Sequence, residues 1–207
     1  MHVLAVNGSP NEKGCCYTAL KIIEEELKKQ DIGMILFHIG TDPIRGCIAC
    51  RHCAQQDPVS CVFDDVVNQA IALSRKADGF IFASPVHFSG IAGSMKSFLD
   101  RFFFAGGPQR LAHKAGMSVV SARRSGGSST FDQLNHYLHY SKMIVPSSQY
   151  WNIVHGHNCP DDIYEDKEGV QILQVAARNL AWIMKLIAEG KTPPPASEIP
   201  LRTNFIR

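Results

Sequence analysis

A chain of 207 residues can bury a substantial core as one large domain, and 45% hydrophobic with 19% charged residues is the make-up of a globular protein. A net charge of +2 without a basic stripe argues against a nucleic-acid partner, and the longest N-terminal apolar run, Val3 to Val6, is too short for a signal peptide or membrane span. A cytoplasmic location is therefore expected, where thiols stay reduced, so the seven cysteines argue against a disulfide framework.

The elements alternate from the first residue. His2 to Val6 reads as a strand that ends in Asn7-Gly8-Ser9-Pro10, and Leu20, Ile23 and Leu27 mark one face of a helix over Thr18 to Gln30. A second strand spans Met34 to His38. A cysteine-rich loop follows it and ends at Asp64 and Asp65, the expected cap of a helix carrying Val66, Val67, Ala70, Ile71 and Leu73. Gly79 to Ala83 is continuously apolar, as a parallel strand buried on both faces should be. The loop Ser84 to Gly90 leads to a helix over Ser94 to Phe104, with Met95, Phe98, Leu99 and Phe102 facing the core and Lys96 placed to pair with Asp100. Met117 to Ser121 is a fourth strand, followed by Ala122-Arg123-Arg124-Ser125-Gly126-Gly127 and a helix over Thr130 to Ser141. A fifth strand is placed at Met143–Val145 or Tyr150–Val154, and a long helix covers Glu168 to Ala188. Residues 191–207 contain Pro193-Pro194-Pro195 and read as an extended tail behind a domain of residues 1–190.

Strands and helices in alternation give an α/β, doubly wound parallel sheet with helices on both faces. In such sheets ligands bind beyond the carboxyl ends of the strands, where strand order reverses. Three polar loops reach that edge. The first, from Gly8 to Thr18, joins a strand to a helix N-terminus, which is a phosphate site by its free amides and dipole. It matches neither the dinucleotide nor the P-loop glycine pattern. Ser9, Thr18 and the amides from Gly14 onward are its candidate donors, against the alternative of a plain turn and cap. Pro85-Val86-His87-Phe88 suits the face of a planar ring, or is a turn with a half-buried Phe. Arg123, Arg124 and the glycines Gly126 and Gly127 supply cations and flexible amides, or are solvated surface groups. No Ser-His-Asp or Cys-His-Asp pattern assembles, so no protein nucleophile is assigned.

The runs Asn-Gly-Ser-Pro at 7–10, Ser-Pro-Val-His-Phe at 84–88, Met-Lys-Ser-Phe-Leu-Asp-Arg at 95–101 and Ala-Arg-Arg-Ser-Gly-Gly at 122–127 together resemble the NADPH-dependent FMN reductase family. The resemblance implies a flavodoxin-like fold, with a five-stranded parallel sheet in the order 2-1-3-4-5. It implies bound FMN, with the phosphate on Ser9 and the stretch Gly14, Cys15, Cys16, Tyr17 and Thr18. The ring would lie between Pro85, Val86, His87 and Phe88 on one side and Arg123, Arg124, Gly126 and Gly127 on the other. The implied activity is hydride transfer from NAD(P)H to FMN, then delivery of electrons to a small-molecule or protein acceptor by a homodimer or homotetramer. The flavin carries the chemistry and the protein holds and tunes it.

Cys47, Cys50, Cys53 and Cys61 form a C-x2-C-x2-C-x7-C run, a pattern that suits an iron–sulfur cluster or zinc. The segment also resembles the cysteine segment of the iron–sulfur flavoprotein branch, which implies a 4Fe-4S cluster; zinc and free thiols in a short helix remain the other readings. His155, His157 and Cys159 lack a fourth metal ligand and read as a surface loop, while Cys15 and Cys16 sit where a helix N-terminus lowers a thiol pKa. Tyr150 and Trp151 are placed over the flavin, at a subunit interface or in the core. Two other functions fit the same fold: a flavodoxin-type electron carrier, and a cysteine-based metal or redox sensor.

Overall fold

The computed structural model describes every residue except 106, 197, 199, 200, 202, 204, 206 and 207, with only the backbone of residue 108. Strands β1 (His2–Asn7), β2 (Gly33–His38), β3 (Gly79–His87), β5 (Ala115–Ala122) and β6 (Ile153–His155) form a parallel sheet in the order β2-β1-β3-β5-β6. This is the expected order of five parallel strands. A sixth, β4 (Gly90–Ile91), pairs antiparallel with the end of β3 and was not legible as a strand. The fifth parallel strand comes from the later of the two candidate segments; the earlier one contributes a single bridge, Ala115 to Ile144.

Side-chain alternation along the strands assigns the two faces. Val3, Ala5, Ile81, Ala83, Met117 and Val119 pack on one side against α1 (Cys15–Lys28), α6 (Asp161–Glu165) and α7 (Lys167–Glu189). Leu4, Val6, Phe80, Phe82 and Val120 pack on the other against α2 (Val66–Ser74), α3 (Gly93–Phe104) and α5 (Gly127–Tyr140). In α7, Ile172, Leu173, Ala176, Ala177, Leu180, Ala181 and Met184 form the buried stripe. The short helices α4 (Gly107–Arg110) and α6 escaped the periodic pattern because each is under two turns long. Among the described residues no helix is long and apolar enough to cross a membrane. The expected tail lies partly outside the described residues, and its described members carry no helix or strand.

The register sets the site. Asn7 pairs with His38 and with Ala83, Pro85 pairs with Ser121, and Ser121 pairs with Val154. The carboxyl ends of all five parallel strands therefore share one edge.

Candidate functional site

Beyond β1 the chain is held by Asn7, which is fully buried. Its amide nitrogen donates to the Glu12 carbonyl at 3.0 Å and its oxygen accepts from the Ser9 amide at 3.1 Å. The Ser9 hydroxyl accepts from the Asn11 amide at 3.1 Å, and His38 Nε2 donates to the Ser9 carbonyl at 2.8 Å. The loop is thus preformed before any ligand arrives. It delivers Gly14 as the N-cap of α1, with no side chain capping the helix. The first amides of the helix, at Cys15, Cys16 and Tyr17, have no carbonyl behind them to bond.

Helix α1 starts three residues before the expected Thr18, which changes two site assignments. Thr18 donates its amide to the Gly14 carbonyl at 3.1 Å and its hydroxyl to the same carbonyl, so it is spent inside the helix and is withdrawn as a phosphate donor. Cys16 turns into the core. Burial pushes its thiol pKa up to about 12, against opposing bonds from the Ser121 side chain and backbone. At neutral pH it is a packed, protonated thiol, and only its backbone faces the cradle.

Ser9, Pro10, Asn11, Lys13, Gly14 and Cys15 line one wall of an open cleft of about 280 Å³, and Pro85, His87 and Ser121 line another. The loop after β1 and the end of β3 therefore face one cleft. The structure adds His157 and Cys159 from the loop after β6. Cys159 is there because it forms a disulfide with Cys15, the two Cα atoms 5.3 Å apart. The expectation that all cysteines are reduced thiols is corrected by this bridge, which a sequence separation of 144 residues hid. It also removes Cys159 from any metal triad. His155 instead faces Asp166, with Nδ1 at 3.5 Å and its amide donating to the same carboxylate at 2.7 Å.

The segment expected as an open loop from Ser84 to Gly90 is a tight hairpin. β3 runs on to His87, and Phe88 and Ser89, with φ of 49° and 58°, make the two-residue turn into β4. Pro85 and Val86 stay half-buried, while Phe88 projects wholly into solvent. Ser129 of α5 donates to the Ser89 carbonyl at 2.5 Å, and Gln133 accepts from the Ile91 amide at 3.3 Å. Gly126, at φ +85°, lies so close that a Cβ would stand 2.8 Å from Ser89 Cα and 2.9 Å from Val86 Cγ1. Hairpin and fourth loop thus touch directly. Gly126 and Gly127 line a second cleft, with Tyr150, Trp151 and His155. Tyr150 and Trp151 pack on each other, ring centroids 4.8 Å apart, and are half exposed, so neither is a core residue. Arg123 and Arg124 are exposed and line neither cleft.

On the same edge, beyond β2, Cys47, Cys50, Cys53 and Cys61 line one small pocket with Ile48, Val62, Phe63 and Arg101. Cys53 lies in a 3-10 turn, His52–Gln55, and the approach to it uses left-handed backbone at Ala49 and Arg51. Burial raises the Cys53 pKa against an opposing backbone hydrogen bond, and the nearness of Cys61, Cys47 and Cys50 adds to the rise. The pocket measures about 20 Å³, room for about one water. Among the described residues no three Cys, His, Asp or Glu side chains stand at metal-binding distance. The donor set is that of a thiolate-ligated centre, and ligation requires the exposed Cys47–Cys50 end of the loop to adjust around it.

The sequence profile of the NADPH-dependent FMN reductase family matches residues 1–158. The chain belongs to that family. It is accordingly assigned to the FMN-dependent flavoprotein oxidoreductases. An iron–sulfur flavoprotein from Methanocaldococcus jannaschii is 26% identical over 194 residues, covering 90% of this chain and 99% of that protein. One from Methanosarcina thermophila is also 26% identical over 194 residues, with 92% and 99% covered. Among solved structures, RosB with a bound riboflavin-phosphate intermediate superposes with a TM-score of 0.71 at 11% identity, covering 99% of this chain and 92% of that one. FerB, an NAD(P)H:acceptor oxidoreductase from Paracoccus denitrificans, gives 0.65 at 15% identity, with 89% and 97% covered. A flavodoxin from the domain Archaea gives 0.58 at 12% identity, with 89% and 99% covered, and the three likenesses show the flavodoxin-like fold.

Proposed function

We propose that this protein oxidises NAD(P)H through bound FMN and passes the electrons to an acceptor by way of a 4Fe-4S cluster held by Cys47, Cys50, Cys53 and Cys61. The observation that carries the flavin half is the preformed, uncapped start of α1, wired by Asn7 and facing Pro85 and His87 across one cleft. The amides of Cys15, Cys16 and Tyr17, with the dipole of a 14-residue helix behind them, bind and orient a phosphate dianion. Pro85 and Val86 present a rigid, half-buried surface to a ring, and the hairpin keeps their backbone fixed. Gly126 lets the fourth loop close against that hairpin, so the ring edge meets backbone amides instead of side chains. Arg123 and Arg124, exposed on the same edge, attract an anionic cosubstrate over long range, an effect that salt screens.

When bound, FMN accepts a hydride and can release electrons singly, and a cluster in the cysteine pocket carries one electron at a time. The sequence likeness over nearly the whole length of iron–sulfur flavoproteins supports the cluster, as does the lining of one pocket by the four cysteines. Assembly as a homodimer or homotetramer belongs to the same proposal, with exposed Phe88, Trp151 and Trp182 as apolar surface for it.

The test is the absorption spectrum of anaerobically purified protein before and after NADPH. Flavin bands at about 375 and 450 nm that bleach within seconds of NADPH addition are expected. Bands that persist under NADPH would make the protein an electron carrier. Iron and acid-labile sulfide absent even after reconstitution would remove the cluster, and zinc in their place would favour the sensor reading.

A further inference from the structure

Among the described residues Arg101 is the largest fully buried side chain, and burying a guanidinium is costly unless every donor is satisfied. Here all of its N–H groups are used. Nη1 donates to Asp65 Oδ2 at 2.5 Å and to the Arg45 carbonyl at 3.3 Å; Nη2 donates to Asp65 Oδ1 at 2.9 Å and to the Phe63 carbonyl at 3.2 Å. The fifth donor, Nε, is aimed at Cys61 Sγ, 3.3 Å away. The plane of the group lies over Phe63, 5.0 Å from the ring centroid. A fold staple between α3 and the cap of α2 needs only the Asp65 fork. It does not need a nitrogen spent on a sulfur.

Cys61 is held from its other side too. Its amide donates to Asn68 Oδ1 at 2.7 Å, and Asn68 Nδ2 donates back to the Cys61 carbonyl at 3.0 Å. Of the four cysteines it is the one whose sulfur faces a cationic donor and whose backbone is clamped by a side chain; the Cys53 sulfur donates to the Phe104 carbonyl at 3.9 Å, and Cys47 and Cys50 are exposed. We propose that Arg101 is a positioning residue for the cysteine pocket: it pins the Cys61 sulfur as a preset ligand and, through Nε–H and its charge, favours the reduced, more negative form of the metal centre. This rests on the cluster reading above. Hydrogen bonds to ligand sulfurs and nearby charge are the protein's means of setting such potentials. The sign is fixed by electrostatics, because a donor or cation beside the sulfur stabilises whichever state carries more negative charge.

The experiment compares wild type with Arg101→Gln, Arg101→Lys and Asp65→Asn as full-length, FMN-loaded, iron–sulfide-reconstituted proteins. The readouts are iron and sulfide content, midpoint potential by anaerobic redox titration, and melting temperature. Both Arg101 variants are expected to retain iron and to titrate at a lower potential, Gln further than Lys. Asp65→Asn keeps the α2 cap, since Asn caps as well as Asp, and leaves Nε on Cys61 while removing a negative charge. Its potential should rise. If Arg101→Gln fails to fold, the opposed directions for Arg101→Lys and Asp65→Asn carry the test alone. Arg101 variants that take up full iron at the wild-type potential, with only the melting temperature lowered, would reduce Arg101 to a fold staple and overturn the proposal. Wild type that takes up no iron overturns the cluster reading and this inference with it.

Discussion

The sulfurs of Cys15 and Cys159 join the first residue of α1 to the loop after β6, and the bridge stands in the wall of the cleft between Ser9 and Pro85. A cross-link over 144 residues removes much of the freedom of the unfolded chain and is worth about 2–5 kcal/mol. Reduction by a dithiol, or Cys159→Ser, should lower the melting temperature and weaken FMN binding several-fold as the loop carrying His157 is released. Thermal melts and flavin-fluorescence titrations with and without reductant measure both. An unchanged FMN affinity would show that the loop after β6 is no part of the flavin site.

Cys16, next along the helix, behaves in the opposite way. Its folded pKa of about 12 against the ordinary 9.0 means the folded state holds a proton that the unfolded state gives up first. Stability from this group is therefore complete below pH 9 and is lost as pH rises through the window from 9 to about 12. The full loss is of the order of 4 kcal/mol. Urea melts at rising pH should show that fall in wild type and a shallower one in Cys16→Ala. At neutral pH, alkylation of the cluster-free protein, read by mass spectrometry, should label Cys47 and Cys50 quickly and leave Cys16 untouched until the chain is unfolded.

Asn7 organises the loop after β1, the proposed phosphate cradle, from a position with no solvent contact. Asn7→Ala breaks two hydrogen bonds and leaves the Glu12 carbonyl and Ser9 amide to find other partners, a cost of about 1–3 kcal/mol. The loop should lose its preset shape, so FMN affinity should fall by more than in Ser9→Ala, where one such bond goes. Isothermal titration of the refolded apoprotein with FMN ranks the two variants.

Much of this edge was readable from residue patterns. Continuous apolar runs gave the central strands, and Gly-Ser-Pro and Arg-Arg-Ser-Gly-Gly marked strand exits whose loops indeed share one edge. What escaped depended on distance in sequence or on tertiary override. Nothing local pairs Cys15 with Cys159, nor Arg101 with Cys61 forty positions earlier. Phe88-Ser89 lacks the Asn-Gly that usually signals a two-residue hairpin; non-glycine residues hold positive φ there because Ser129 and Gln133 of α5 bond the hairpin from outside. Helix α1 begins at two poor helix formers because Cys16 is buried beneath the sheet edge, and packing outweighs propensity.

Gly126 gives the sharpest test of how the hairpin and fourth loop fit. Its left-handed backbone disfavours any side chain, by about 1–2 kcal/mol, and a Cβ there would press on Ser89 Cα, which is backbone and cannot swing aside. The neighbouring Val86 Cγ1, 2.9 Å from the same point, can yield only by moving the strand that carries Pro85. Gly126→Ala should therefore cost about 2–4 kcal/mol, strain and overpacking together. It should also displace the ring-side wall, seen as weaker FMN binding and a shifted flavin absorption band. Gly93→Ala is the control: a Cβ there meets nothing within 4 Å, at the first residue of α3. Alanine at that position should be neutral or stabilise by up to about 1 kcal/mol through helix propensity, with FMN binding unaltered. Equal effects from the two substitutions would show that the hairpin and fourth loop are not in the contact described.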